Sequence, residues 1–414
     1  ETAPSFISKQ LDIDYLITGT ISKHKDSVRV IVNLLNAPED ALLVSLVFEK
    51  DYDHILSVQA DIGTEISEEL NLSLSPNELI RVNQIPTNNL DSYNMYLKGA
   101  MTSSTYLAGA QSRAIEYFNK SIELDPDFAL PYAGLAECYR LLALRNKDSL
   151  DQEIKRIKSL ALRSIEIEDN EFAHMVLGAL AVTQECNWQE GEREFRRAIE
   201  VNPNNPDAYL YLADFLLHVE KSFDESEIQL KRAQLLDPFN INHKLFLAKY
   251  HFFKRDYKNA MTEFHNAARI NENLTKKIEL GFFVLVKQQK YDEAIKELET
   301  LMRSNEKYKN IAHEVTPVYE IEGMDGVFRY LIHNKVYFES LVSNEYLTFA
   351  GYHAYLGEKT KAIDNLRSAI DSNSHCLYVI PTNPYFDDLQ SEPEFVQLMQ
   401  RIGLAEILDS EFKS

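Results

Sequence analysis

The sequence predicts a mainly α fold, a solenoid of stacked helical hairpins preceded by a small α/β segment. Three observations predict it. A short phrase recurs along the chain, as RAIEYFNKSIELDPD at 113–127, RRAIEVNPNN at 196–205 and KRAQLLDPFN at 231–240. Each copy holds a small residue with a proline five places on: Ser121 and Pro126, Ala198 and Pro203, Ala233 and Pro238. Finally, β-branched alternation is confined to the first 75 residues or so.

The head comes first in the chain. DYLITGTIS at 14–22, SVRVIVNLLNA at 27–37 and ALLVSLVFEKDY at 41–52 read as three strands, with turns at KHKD and APED. A helix over roughly 53–72 follows, with Ile55, Val58, Ile62, Ile66 and Leu70 on one side. The stretch SFISKQLDI ahead of the strands reads as the end of a helix. Residues 76–91 then link this partial α/β domain of 1–75 to the repeats.

The repeats occupy 92–372. Gly191, Ser226, Ala260 and Ala294 stand 34 or 35 residues apart, with Ala114 and Ile157 at the corresponding places upstream. Four positions later comes a bulky apolar residue: Phe118, Phe195, Leu230, Phe264, Leu298. That spacing is one helical turn, so each pair shares a face. Ahead of each such helix lies another bearing a leucine and a small residue: Leu135-Ala136, Leu177-Gly178, Leu212-Ala213, Leu247-Ala248, Leu280-Gly281. A small residue lets a second helix approach closely while its large neighbours fill the grooves. The prolines end each hairpin, because proline cannot continue a helix.

These residues resemble the tetratricopeptide repeat, whose pattern places W-x2-L-G-x2-Y on the first helix, A-x3-F on the second and P after it. The resemblance covers roughly 92–300 and implies a right-handed α-solenoid. Its first two hairpins carry longer turns, AMTSSTYLAGAQS at 100–112 and ALRNKDSLDQE at 143–153. Residues 308–340 hold EIEGMDGVFRYLIHN, which reads as a degenerate seventh hairpin with Gly323 and Gly326 in its turn. Ala350, Ala362, Leu366 and Ala369 restore the pattern in an eighth. GYHAYLGEKT is not a phosphate loop, because five residues separate Gly351 from Gly357 and Glu358 stands where the lysine belongs. Gly357 belongs to a turn. Residues 373–414 form a capping segment, with Pro384 and Pro393 as helix openers and Phe395, Leu398, Met399 and Ile402 at helical spacing.

The phrases LDIDYLITGTISKHKDSVRVIVNLLNA, ILSVQADIGTEISEEL, PTNNLDSYNMYLKGA and NPYFDDLQSEPEFVQLMQRIGL together resemble a bacterial multidomain family. In it an α/β domain akin to the TolB N-terminal and flagellar FlgO domains precedes tetratricopeptide repeats. The resemblance implies an upstream effector (a nucleotide cyclase, a helix-turn-helix DNA-binding domain or a serine/threonine kinase), often beyond one membrane span. With that span the chain would lie on the extracytoplasmic side, and without it in the cytoplasm. The first half of the α/β domain is absent before Glu1, so the resemblance also implies a piece of a longer protein. The missing strand would leave an edge open to a strand-exchanged homodimer.

Composition narrows the function. With 45% apolar residues and 11% aromatics the 414-residue chain is expected to pack. A net charge of −21 and no dense basic stretch argue against nucleic acid. Cys138, Cys186 and Cys376 are too scattered for a disulfide framework or a metal site, and read as buried thiols. No apolar run is long enough for a membrane span. The sequence has no HExxH, no GxSxG, no GxGxxG after a strand and no kinase signature, so no catalytic residue, cofactor or metal is expected.

The expected function is recognition of a protein or peptide. In tetratricopeptide arrays the first helices line a concave groove. Carrying the spacing over assigns to it Met175, Ala179 and Val182; Leu210, Asp214, Leu217 and His218; Leu245, Lys249, Phe252 and Phe253; and Ile278, Phe282 and Leu285. Phe252, Phe253 and Phe282 are better explained by packing against the neighbouring hairpin, and His218 reads as a surface residue. An apolar groove with charged margins suits an amphipathic helix or an extended peptide. The chain is thus expected to be a non-catalytic sensory or regulatory module. The alternatives are a purely structural oligomerisation scaffold and a small-molecule receptor.

Overall fold

The computed structural model describes residues 3–11, 13–104, 109–143, 150–271, 279–338, 344–372 and 377–408. They form a tetratricopeptide-repeat α-solenoid with a small N-terminal sheet. The chain divides into two compact units, Glu1–Tyr139 with Leu162–Glu168, and Arg140–Ala161 with Asp169–Ser414.

In the first unit, helix α1 (Pro4–Leu11) leads into strands β1 (Tyr15–His24), β2 (Ser27–Asn36) and β3 (Ala41–Asp51). They pair as an antiparallel meander in the order β1-β2-β3. Alternation on β2 turns Val28, Val30, Val32 and Leu34 inward, where Val58 and Ile66 of α2 (Val58–Glu69) cover them. A 3-10 turn over Tyr52–Ser57 replaces the first part of the expected helix. Ile17 and Ile21 are the register partners of Leu34 and Val30, so they share the inward face. They nevertheless stay 54% and 75% exposed, because the α2 cluster engages β2 and β3.

Helix α3 (Pro76–Asn83), opened by a Ser75–Glu78 capping box, precedes the hairpins. The first hairpin pairs α4 (Leu90–Ser103) with α5 (Ala110–Leu124), and the second follows as α6 (Leu130–Ala143) and α7 (Leu150–Ile167). Next come α8 (Glu171–Leu180) with α9 (Trp188–Val201), α10 (Pro206–His218) with α11 (Phe223–Leu236), and α12 (Ile241–Phe253) with α13 (Tyr257–Ile270). The sixth hairpin is α14 (Leu280–Lys287) with α15 (Tyr291–Arg303). Two of the recurring prolines lie just before an asparagine cap: Asn205 after Pro203 accepts from Ala208 N, and Asn240 after Pro238 accepts from Asn242 N. One short phrase therefore ends one hairpin and starts the next.

The small residues sit where a side chain would collide with a ring. A Cβ on Gly99 would stand 2.7 Å from the Phe118 ring, and one on Gly134 2.5 Å from it. Gly178 meets Phe195 at 2.6 Å and Gly281 meets Phe264 at 2.7 Å in the same way. Ala213, Ala248, Ala260 and Ala294 are fully enclosed. The ring that follows A-x3 thus lies on the small residue of a first helix, which fixes the spacing between helices.

A single element, α16 (Val315–His333), carries the seventh hairpin, broken at Gly323 with φ 66° and ψ −166°. Gly326, expected in the same turn, instead lies inside the second helical arm, where a Cβ would fall 2.2 Å from that of Glu322. The eighth hairpin joins α17 (Glu345–Tyr355) to α18 (Lys359–Asp371) through Gly357 at φ 72°. Beyond it come two 3-10 turns, Leu377–Thr382 and Pro384–Leu389, and α19 (Pro393–Arg401). Ion pairs Lys359–Glu392, Arg367–Glu394 and Arg401–Asp371 hold α19 on the eighth hairpin.

Two outcomes check this packing. Ala260→Leu is expected to lower stability by about 1–3 kcal/mol, while Ile228→Leu, at a 63% exposed site, stays within about 0.5 kcal/mol, both read by thermal melting. Gly323→Ala is expected to cost on the order of 1–3 kcal/mol, because its backbone lies in a region open only to glycine; an unchanged melting temperature would contradict the break.

Candidate functional site

Five of the turns between paired helices share one feature. Cys186, Lys221, Arg255, Gln289 and Gly357 all have φ between 50° and 72°, and each precedes the small residue of its second helix by five places. This position favours glycine, and a non-glycine residue costs on the order of 1 kcal/mol there. Two of the turns hold long cationic side chains. Both reach the C-terminal segment, Lys221 Nζ donating to the Ile407 carbonyl at 3.3 Å and Arg255 Nη1 to the Thr382 carbonyl at 2.8 Å.

Arg255 also spans the Asp387 carboxylate with Nε and Nη2. One hairpin on, Lys287 at the end of α14 donates to the Pro384 carbonyl at 2.9 Å, with its ammonium 4.4 Å from the Tyr385 ring centre. One hairpin back, on α10, the Tyr378 hydroxyl donates to Asp214 Oδ2 at 2.8 Å, and Thr382 Oγ1 meets His218 Nδ1 at 2.6 Å. Trp188 Nε1 donates to the Ile402 carbonyl at 3.0 Å, and Phe283 packs edge-on to Tyr385. The segment 377–407 therefore does more than cover the last hairpin. It lies along the first helices of several.

The expected groove residues divide accordingly. Asp214, His218 and Phe253 come together beneath the segment, with the His218 and Phe253 ring centres 4.3 Å apart and those of His218 and Tyr378 5.6 Å apart. Lys249 acts on both Asp214 and His218 through its charge, and its Nζ stands 5.7 Å from the Phe246 ring. Ala179, Val182, Leu217, Leu245, Phe252 and Leu285 are buried in the main core, and Leu210 packs against it. Phe282 is enclosed between Phe283 and Phe328, and Met175 between Ala198 and Ala208. Ile278 lies outside the described residues, as does Cys376. His218, expected at the surface, is 1% exposed, because Phe253, Tyr378 and Thr382 enclose it. The spacing did not indicate Lys221, Arg255, Phe283 or Lys287. A cation where glycine is favoured was the available signal for the first two.

Burial sets the protonation here. It pushes the Asp214 carboxyl up to about 6, against the pull of the Tyr378 hydroxyl and of Lys249. It pushes His218 down to about 3, helped by the positive charge of Lys249. Burial also lowers Lys287 and Lys221. A second titratable cluster joins His174 to Glu194 at 2.5 Å and Asp169 at 2.7 Å, with Arg193 and Arg197 on the carboxylates. Burial opposes the imidazolium, but the two carboxylates outweigh it and hold His174 above its ordinary value. It is an ion-paired tie between α8 with its preceding turn and α9. Among the described residues no group of three or more His, Cys, Asp or Glu side chains is placed to hold a metal, and burial lifts Cys138 up to about 12.

Comparison with known proteins agrees with the repeat reading. Family profiles described as tetratricopeptide repeat match residues 194–227 and 109–128. The chain therefore contains tetratricopeptide repeats, which are protein-interaction modules. Over 124 residues it is 24% identical to the transcriptional regulator HilA of Salmonella typhimurium, a stretch that is 30% of this chain and 22% of that regulator. It thus spans about a fifth of the length of this curated relative. The type IV pilus biogenesis factor PilW is 16% identical in structural alignment, over 55% of this chain and 99% of that one, with a TM-score of 0.41. A tetratricopeptide repeat protein from Parabacteroides merdae is 9% identical over 76% and 99% of the two chains, with a TM-score of 0.37.

The buried pair on α10 gives an acid limb of known sign. Between pH 6.5 and about 3 the unfolded chain carries a proton on His218 that the folded chain refuses, so acidification destabilises through this residue. Asp214 acts oppositely between about 6 and 3.8, where the folded state takes up the proton first. His218→Gln is expected to flatten the loss of stability from pH 6.5 to 4, and Asp214→Asn to steepen it. Urea midpoints at pH 7, 5 and 4 read both, and slopes equal to wild type would contradict the assignment.

Proposed function

We propose that this chain is a non-catalytic, protein- or peptide-binding regulatory module of a bacterial signalling protein. It would pass partner binding or subunit geometry to an effector domain elsewhere in its parent. The observation that carries this reading is the face formed by the first helices α10, α12 and α14 and the turn after α12, where Asp214, His218, Arg255 and Lys287 hold polar groups of residues 378–387 around an apolar floor. Such a surface recognises side chains and carbonyls. The partial similarity to a transcriptional regulator and the resemblance of the N-terminal region to signalling proteins support the regulatory part.

The test is a substitution at the margin of that face in the full-length parent. Lys249→Glu is expected to change the parent's output severalfold while light scattering shows an unaltered oligomer. Unchanged output from a folded variant would overturn the reading.

One observation favours a second reading, an oligomerisation scaffold. Strand β1 is a ten-residue edge strand with Ile17 and Ile21 exposed on its inward-facing side. Dissociation of the parent on Ile21→Lys, with output falling in step, would select the scaffold.

A further inference from the structure

We propose that residues 377–389 are an internal ligand of the first-helix face, and that the external partner is a peptide of the same chemistry. That partner would be an apolar segment with a tyrosine hydroxyl and, nine residues later, an aspartate carboxylate. The inference rests on the binding-module reading and names what the face binds.

Three features of the segment carry it. First, it is held as a peptide is held. Its two turns are six residues each in 3-10 geometry, whose hydrogen bonds are poorly aligned and rarely sustain longer runs. The hydrogen bonds to the array run through the Tyr378 hydroxyl, the Thr382 hydroxyl and carbonyl, the Pro384 carbonyl and the Asp387 carboxylate. Second, the receiving groups come from successive hairpins, Asp214 and His218 from one, Arg255 from the next and Lys287 from the one after. A surface assembled from repeats reads a pattern of side chains and does not require covalent continuity with its ligand. Third, the charges are complementary. The array supplies the cations Arg255 and Lys287, and the segment supplies Asp387, in a pair that is still partly open to water.

Apolar burial decides the mode of exchange. Ile380 and Phe386 are fully enclosed and Leu389 nearly so. Bare release would leave the floor of the face and these side chains in water. Replacement by a segment bearing similar groups keeps the floor covered. The partner is thus selected both by its apolar residues and by the carboxylate that reaches Arg255.

A labelled peptide with the sequence of residues 377–392 tests this on the full chain. Asp387→Ala in the chain loosens the internal segment but leaves Arg255 in place. The peptide is expected to bind that variant about two- to fivefold more tightly than wild type. Adding Arg255→Ala is expected to abolish the gain, and so is Asp→Ala within the peptide. Hydrogen exchange on the unmodified chain supplies an independent arm, in which amides of 377–389 are expected to exchange ahead of those of α10 and α12. Two results overturn the inference: exchange of 377–389 only together with those helices, or equal peptide binding by wild type and a natively folded Asp387→Ala chain. If the parent's output responds to Lys249→Glu while the peptide shows no gain, the internal-ligand inference alone falls. If the peptide binds as expected while output is unmoved, the regulatory reading alone falls.

Discussion

The fold depends on an aromatic ring lying where a side chain is missing. Phe118 sits against Gly99 and Gly134, Phe195 against Gly178 and Phe264 against Gly281, each at a distance that leaves no room for a Cβ. A helix pair that approaches so closely buries nearly all of the ring, at about 1.5–3 kcal/mol per large apolar side chain. The sequence separation between a small residue and its ring is short, so most of this energy comes from local hairpins and their neighbours. Repetition then extends one solution along the chain.

These contacts were legible because they are periodic. A small residue every 34 or 35 places, a bulky apolar residue four places later and, in the earlier copies, a proline beyond it describe a hairpin without further information. The strands were legible for the same reason, since Val28, Val30, Val32 and Leu34 alternate strictly. The path of residues 377–389 was not. Its partners lie 97 to 164 residues away and follow no period, so no local pattern announces them. Residues assigned to an open groove by spacing alone, such as His218, are consequently buried. Gly326 shows a related limit: a glycine near a turn looks like part of it, but whether it turns the chain or admits a neighbour is settled by backbone angles.

The polar contacts under the C-terminal segment contribute selectivity more than energy. The Arg255–Asp387 pair is partly solvated, and such pairs typically contribute about 0–1 kcal/mol. Asp214 is costlier, since its Oδ1 has no hydrogen-bond partner among the described residues and stands 3.5 Å from His218 Nε2. Cations at Lys221 and Arg255 add backbone strain where glycine would be relaxed. Ile380, Phe386 and Leu389 supply the attraction, and the polar groups decide the register in which it is realised.

Trp188 and Ile402 are joined across 214 residues, and Lys221 and Ile407 across 186. Repeat arrays ordinarily melt piecemeal, because each unit touches only its neighbours. Here a returning stretch of chain fastens the third and fourth hairpins to residues beyond the eighth, so opening those hairpins must break bonds to a segment 186 or more residues away. Contacts between residues so far apart also impose a slower search on a folding chain.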